Sequence, residues 1–287
     1  MYKYFFKFSF FLLLVINSNY VLGIQTCNDF GHFDLVVDVD PPGADGAIFL
    51  IDTNGEFPVD SVTGKTIVPA DLGDFAGGPH KTDDPGWVVK AGDLLGGELL
   101  WFRAIGSLKF WDPTKQRWMN KTPNGERVRY TGIIPPEIIL NGSSEEIAFY
   151  SAGTIWSDLG IDGPLEAPIE EAANILSGDT IHAHLDFCIE GEISEGIMGD
   201  CTIPGIGHTG SPSIGIYMIE IQLFSNQLGP AGVRQKYIDS EPIKIILNNG
   251  LINNDCAVAI NALTNPDLIQ DDSDPLPSSG ILIMTGP

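Results

Sequence analysis

Basic residues are scarce in this sequence. Its 287 residues include 15 lysines and arginines but 38 aspartates and glutamates, which gives a formal net charge of −23 at pH 7. The phosphates of nucleic acids and anionic membrane surfaces repel such a chain. We therefore predict no nucleic-acid partner, whereas divalent cations and basic molecules remain electrostatically favourable. Acidity alone does not identify a partner, because exported proteins are often acidic simply for solubility.

Long apolar runs are lacking too. Residues 8–16 are almost wholly apolar, but this run is well short of the about 20 residues that a membrane-spanning helix needs. It follows the basic residues Lys3 and Lys7 and precedes Gly23, a pattern typical of a secretory signal peptide. An uncleaved N-terminal anchor is the alternative. We predict a signal peptide over residues 1–23 and a secreted or periplasmic mature chain, residues 24–287, without an integral membrane span.

Cysteines are few, and no Cys-x-x-Cys spacing supports a cysteine-based metal site. The four residues are Cys27, Cys188, Cys201 and Cys256. An even number of cysteines in an oxidising compartment favours disulfides. The short, glycine-rich segment between Cys188 and Cys201 favours that pair. The remaining pair, Cys27 and Cys256, would then tie the two ends of the chain.

Familiar catalytic motifs are missing as well. The sequence has no Gly-x-Ser-x-Gly, no His-Glu-x-x-His and no phosphate-binding glycine loop. The adjacent pairs Glu145-Glu146 and Glu170-Glu171 do not face one another on a strand or helix, so they are poor acid/base dyads. These absences favour a non-enzymatic protein.

Short strand patterns dominate what is present. About nine strands separated by turn residues, with few helices, predict an all-β fold, a β-sandwich or jelly roll. We expect one domain over residues 24–287, elaborated over about 113–180. Residues 53–95 lack regular patterning, and residues 164–176 have the acids and apolar spacing of a short helix. The main strand predictions are 32–40, 46–52, 98–105, 107–111, 181–189, 213–224 and 243–247, and an apolar helix is predicted around 257–263.

The stretch from Ile181 to Ile189 concentrates the potential chemistry. Apolar residues alternate with His182, His184, Asp186 and Cys188. Side chains on a strand alternate between two faces, so a single strand here would present both imidazoles and the carboxylate together. Solvent-facing polar residues on an amphipathic strand are the plainer alternative.

A second strand carries His32 and Asp34 on its polar face. If it lies beside the His-x-His strand, His32, Asp34, His182, His184 and Asp186 would converge on a divalent metal. Imidazole and carboxylate ligands suit zinc or copper. If the cluster keeps an open coordination position, a metal-dependent, cupin-like enzyme is a further alternative.

Calcium is a weaker prediction. Residues 52–56 and 83–86 offer oxygen donors, but neither matches the register of an EF-hand loop. Ordinary Asx turns explain such residues more often than not.

Tryptophans supply the competing hypothesis. Trp101, Trp111 and Trp118 lie among basic residues, and exposed tryptophans can stack on sugar rings. A carbohydrate-binding or cell-surface-binding module is therefore the alternative function. Aromatic side chains in the core of a sheet are the competing structural interpretation.

Three motifs carry a family resemblance: His32 to Asp34, Gly178 to His184, and Gly215-Ile216-Tyr217. They resemble a loosely defined group of exported bacterial all-β proteins, which includes metal-starvation-inducible periplasmic proteins and surface-anchored relatives. The resemblance implies a jelly-roll-like sandwich and a metal-linked role. The chain departs from that group at Leu185-Asp186-Phe187, where members often carry a tryptophan.

Overall fold

The computed structural model describes residues 32–73, 79–131, 152–175, 177–189, 211–229 and 235–265. Within these ranges the chain forms sixteen strands and one helix, so the predicted all-β sandwich-like class is confirmed. None of the described helices is long and apolar enough to cross a membrane. The predicted signal peptide lies outside the described residues.

The strands alternate with turns along the whole described chain. In chain order they are β1 (Asp34–Asp40), β2 (Ala47–Ile51), β3 (Ile67–Asp71), β4 (Lys81–Thr82), β5 (Gly86–Lys90), β6 (Leu99–Asp112), β7 (Arg117–Met119), β8 (Val128–Thr131), β9 (Thr154–Ser157), β10 (Gly160–Asp162), β11 (Glu166–Glu171), β12 (Asp179–Ala183), β13 (Asp186–Ile189), β14 (Gly215–Phe224), β15 (Tyr237–Ile238) and β16 (Ile243–Asn249). The helix, α1, spans Asn253–Thr264.

These strands form three sheets, which share the larger of the two buried clusters in the described residues. The first sheet has the order β12-β5-β1-β2-β15, the second β10-β9-β8-β13-β4, and the third β11-β6-β14-β16-β3 with β7 paired to β6. A single buried cluster draws on strands from all three, including Leu35 of β1, Tyr130 of β8 and Ile219 of β14. The alternation in β1, which buries Leu35, Val37 and Val39, matches the predicted pattern.

Two local predictions are wrong. Among the described residues of the predicted helix, 164–175, none is helical: their centre is the edge strand β11, which pairs with β6. Pro168 is tolerated there because β11 lies at the end of its sheet and its register shifts between Pro168 and Glu170. The predicted pair of strands around Gly106 is the single long strand β6, and its register against β14 shifts near this glycine.

The segment predicted to be irregular, residues 53–95, contains β3, β4 and β5. Trp87, Val88 and Val89 of β5 are all buried. A strand covered on both faces shows no alternation of polar and apolar residues, which explains why the sequence pattern missed it. β5 is nevertheless the strand that brings the candidate site together.

The predicted C-terminal helix is confirmed as α1. Its first-turn acid is Asp255, and its N-cap is Ile252, which makes no side-chain cap hydrogen bond. The helix packs on Trp118, whose indole Nε1 donates to the carbonyl oxygen of Ala259 at 3.1 Å.

Cys188 and Cys256 are buried, and neither is a free thiol. Their predicted partners, Cys201 and Cys27, lie outside the described residues. The pairing therefore stays a prediction.

Candidate metal centre

The stretch from Ile181 to Ile189 is not one strand. β12 ends at Ala183 in the first sheet, and β13 begins at Asp186 in the second. His184 and Leu185 carry the chain across. Burial nevertheless keeps alternating through the crossing, so Leu185 is buried while His182 and His184 both face away from the core. The prediction that His182 and His184 lie on the same face is confirmed, but the prediction that they lie on one strand is wrong.

The strand that carries Asp34 does not lie beside β12, because β5 runs between them. β1 pairs with β5 in parallel, with Asp34 opposite Gly86. β12 pairs with β5 antiparallel, with Ala183 opposite Trp87, which brings His184 level with Gly86. Neighbouring strands are about 4.8 Å apart, so a side chain on the middle strand would ordinarily separate the outer two. Gly86 has no side chain, and Asp34 meets His184 across it.

Three ligand atoms converge at this point, from Asp34, His182 and His184, which we call the triad. Oδ1 of Asp34 lies 3.0 Å from Nε2 of His184 and 3.3 Å from Nε2 of His182. The two Nε2 atoms are 3.3 Å apart. An ion with ligands at about 2.0–2.1 Å places them about 3.3 Å from one another in tetrahedral geometry and about 2.9 Å in octahedral geometry. The triad has the dimensions of a metal site.

A backbone contact sets the orientation of the His184 ring. Nδ1 of His184 lies 3.1 Å from the carbonyl oxygen of Asp83. Because a carbonyl oxygen can only accept, Nδ1 carries the ring hydrogen and the neutral ring presents a lone pair at Nε2. Metal-binding histidines are commonly fixed in this way. In the neutral ring, the lone pair of His184 Nε2 faces Oδ1 of Asp34, an arrangement that a cation between them would stabilise.

The triad is open to solvent on one side. The His182 side chain is 52% exposed, Asp34 34% and His184 20%. A metal held by these three residues would keep coordination positions for water or another ligand, as in sites that exchange or activate their ligands rather than closed structural sites. Glu170 borders this open side, and its Oε2 accepts the backbone N–H of His182 at 3.1 Å. Partial burial raises the pKa of Glu170, and the His182 hydrogen bond offsets part of that rise.

His32 lies next to the triad without joining it. Its ring stacks on the His184 ring, with centroids 4.7 Å apart and planes 20° apart. Its Nδ1 is directed at two carboxylates, 3.2 Å from Oδ1 of Asp84 and 3.7 Å from Oδ1 of Asp83. Asp84 is held in turn by the backbone N–H of Phe33, which donates to Oδ1 at 3.0 Å.

Asp186 is placed elsewhere. Its Oδ2 pairs with Nζ of Lys81 at 2.7 Å, and among the described residues it belongs to neither group that could hold a metal. The reason is the crossing at His184, since Asp186 belongs to the second sheet. In residues 52–56, the two carboxylate oxygens of Asp52 accept the backbone N–H groups of Glu56 and Phe57, at 2.7 and 3.0 Å.

Sequence reasoning assigned no role in the centre to Gly86, Asp83 or Asp84. For the run from Asp83 to Gly86, the sequence predicts only a weak calcium site, on the basis of its oxygen donors. Nothing in its local pattern shows that it lies between Asp34 and His184. Only the pairing of β5 with both neighbours reveals this.

The tryptophans do not form the exposed surface that a carbohydrate site requires. Trp111 and Trp118 are buried, in contact with each other, in a cluster that includes residues of α1. Trp101 is half-buried against Phe224. For Trp111 and Trp118 the core interpretation is the correct one.

Comparison with known proteins adds no family. No family model, curated protein or solved structure matches the chain. The resemblance to exported bacterial all-β proteins therefore stays a prediction, and function has to be inferred from the geometry of the triad.

Proposed function

We propose that this protein binds a divalent metal ion, zinc or copper, through Asp34, His182 and His184. The observation that supports the proposal is the convergence of three ligand atoms within 3.3 Å of one another. Two imidazoles and one carboxylate suit both metals. His32, predicted as a ligand of the same ion, is not one of these three and packs against the His184 ring.

The proposed role is metal handling outside the cytoplasm, or stabilisation of an extracellular module by its metal. A ligand that binds only the folded state raises stability in proportion to the logarithm of its concentration over its Kd. The open side of the triad favours exchange of the metal with other carriers. The carbohydrate-binding alternative has no comparable support, because two of its three tryptophans are buried.

The test is a zinc titration of tag-free, metal-stripped protein by calorimetry, with bound metal measured by mass spectrometry. We expect His182→Ala to lower the zinc stoichiometry by one equivalent, because it removes one of the three ligands of an exposed site. His80→Ala is the matched control, since the His80 Nδ1 contacts Asn249 at 3.0 Å and His80 belongs to neither metal group. Copper(II) and iron(II) are titrated in parallel, because the same donor set also holds iron in oxygenases.

Two results would overturn the proposal. One is wild-type protein that retains no metal above the buffer background. The other is a His182→Ala variant that binds zinc with the stoichiometry and affinity of the wild type.

We also propose export with removal of residues 1–23 and the pairings Cys188–Cys201 and Cys27–Cys256. Intact mass measurement of the exported protein should give a chain that starts at Ile24, and alkylation without reduction should label no cysteine. Peptide mapping under non-reducing conditions then identifies the pairs. A retained N-terminus or labelled thiols would contradict these assignments.

A further inference from the structure

One buried oxygen beside the triad has no hydrogen-bond partner. It is Oδ1 of Asp83, a residue only 7% exposed. A buried carboxylate oxygen without a partner is costly, because it has lost its hydration and gained nothing in return. Nδ1 of His32 lies 3.7 Å from it, which is too far for a hydrogen bond. The oxygen therefore marks a place where a positive charge would be stabilised.

Two further ligand atoms, Nδ1 of His32 and Oδ1 of Asp84, lie close to Oδ1 of Asp83. Oδ1 of Asp84, which is also buried, lies 3.2 Å from Nδ1 of His32. The potential ligand atoms of His32, Asp83, Asp84 and His184 all lie within 4.8 Å of one another. This group holds two carboxylates, whereas the triad holds one.

We infer that His32, Asp83 and Asp84 hold a second divalent cation, so that the centre is binuclear. The inference rests on the proposed function, because it adds a position to the metal centre proposed there. Two carboxylates and one imidazole form a donor set richer in oxygen than the triad, and oxygen-rich sets suit harder cations such as manganese(II). A cation here would neutralise two buried carboxylates and give Oδ1 of Asp83 the partner that it lacks.

His184 lies between the two positions and connects them. Its Nε2 belongs to the triad, and its Nδ1 donates to the backbone carbonyl of Asp83. The Asp83 carboxylate belongs to the second position. Asp83 would therefore orient His184 through its backbone carbonyl and bind the neighbouring cation through its side chain. Because the ring hydrogen of Nδ1 is used by the carbonyl, the second cation is bound without His184.

The test uses the mature chain and zinc alone as the probe, with stoichiometry measured by calorimetry and mass spectrometry. We expect two zinc equivalents in the wild type, one in Asp83→Asn, one in His182→Ala, and none in the double variant. Asp83→Asn keeps the backbone carbonyl that orients His184. Asp179→Asn is the control, an exposed aspartate on β12 outside both metal groups.

His32→Gln guards against misfolding of Asp83→Asn, because the His32 side chain is largely exposed and its replacement leaves the core intact. It should also lose one equivalent. Manganese(II) bound to His182→Ala should give a paramagnetic resonance spectrum of a bound ion, and that spectrum should vanish when Asp83→Asn is added.

The outcomes separate the two proposals. A wild-type protein with one zinc equivalent, lost in His182→Ala and kept in Asp83→Asn, overturns the second position and leaves the triad. One equivalent lost only in Asp83→Asn supports the second position and overturns the triad. No bound zinc overturns both.

Discussion

Alanine in place of Gly86 is expected to eliminate metal binding at the triad while the sheets stay folded. A Cβ at this position would lie 2.2 Å from Cε1 of His184 and 2.3 Å from Oδ1 of Asp34. Carbon atoms do not approach other atoms this closely, so the two ligands have to separate. The φ angle of Gly86 lies outside the left-handed region, so alanine can adopt the backbone and the effect is confined to the space between the ligands.

The expected loss at the triad is about 100-fold or more in zinc affinity, since disturbing even the residues that support metal ligands typically costs 10–100-fold. Calorimetry measures the affinity, and thermal unfolding of the metal-free protein measures the fold. Gly96→Ala is the matched control. Its Cβ would come within 2.8 Å of the Cβ of Asn174, a clash with a residue outside both metal groups. Zinc affinity of Gly86→Ala equal to that of Gly96→Ala would contradict the role assigned to Gly86.

The second large effect is expected at a buried ion pair. Nζ of Lys244, on β16, donates to Oδ2 of Asp60, and the two side chains are 8% and 2% exposed. Oδ1 of Asp60 accepts the backbone N–H groups of Val62 and Thr63 at 2.8 and 2.9 Å. Burial alone would raise the pKa of Asp60, but Lys244 and these two N–H groups lower it below its usual value. The carboxylate is therefore charged and fully partnered.

Lys244→Met removes the cation and leaves the Asp60 carboxylate buried. Breaking such a pair from one side costs about 3–5 kcal/mol, which corresponds to a fall in Tm of roughly 6–20 °C for a domain of this size. Urea unfolding and calorimetry measure the two quantities. Asp60→Asn should cost a similar amount, because it leaves the ammonium group without its closest partner.

The double variant Lys244→Met with Asp60→Asn should recover part of this loss, because no uncompensated charge remains. Asp162→Asn is the surface control, since its partner Arg127 is 3.0 Å away but the Asp162 side chain is 59% exposed. Exposed pairs contribute about 0–1 kcal/mol. A loss in Lys244→Met no larger than in Asp162→Asn would disprove the structural role of the buried pair.

The sequence predicts the parts of the centre that depend on local periodicity. Alternation along β1, and along β12 and the crossing after it, correctly places Asp34, His182 and His184 on faces turned away from the core. The same periodicity misleads at Asp186, since it continues through His184 although the strand and the sheet have changed. Local pattern describes where a side chain points, not which sheet its backbone joins.

The sequence could not predict that β5 lies between β1 and β12. β5 is buried on both faces, so it has no alternation to reveal it. Its parallel pairing with β1 joins residues about fifty positions apart, such as Asp34 and Gly86. No short-range signal specifies such a pairing. The contribution of a glycine to a metal centre follows only from knowing which two side chains lie on either side of it.

The crossing of the chain at His184 has a consequence for the lifetime of the folded state. This residue directly follows β12 of the first sheet and lies two residues before β13 of the second. A bound ion would fasten the start of that crossing to β1 through Asp34, so β12 could leave the first sheet only after the ion had left. Slow metal release would then limit the rate of unfolding. The metal-bound protein would be degraded more slowly than the metal-free protein by proteases that cleave transiently opened chains.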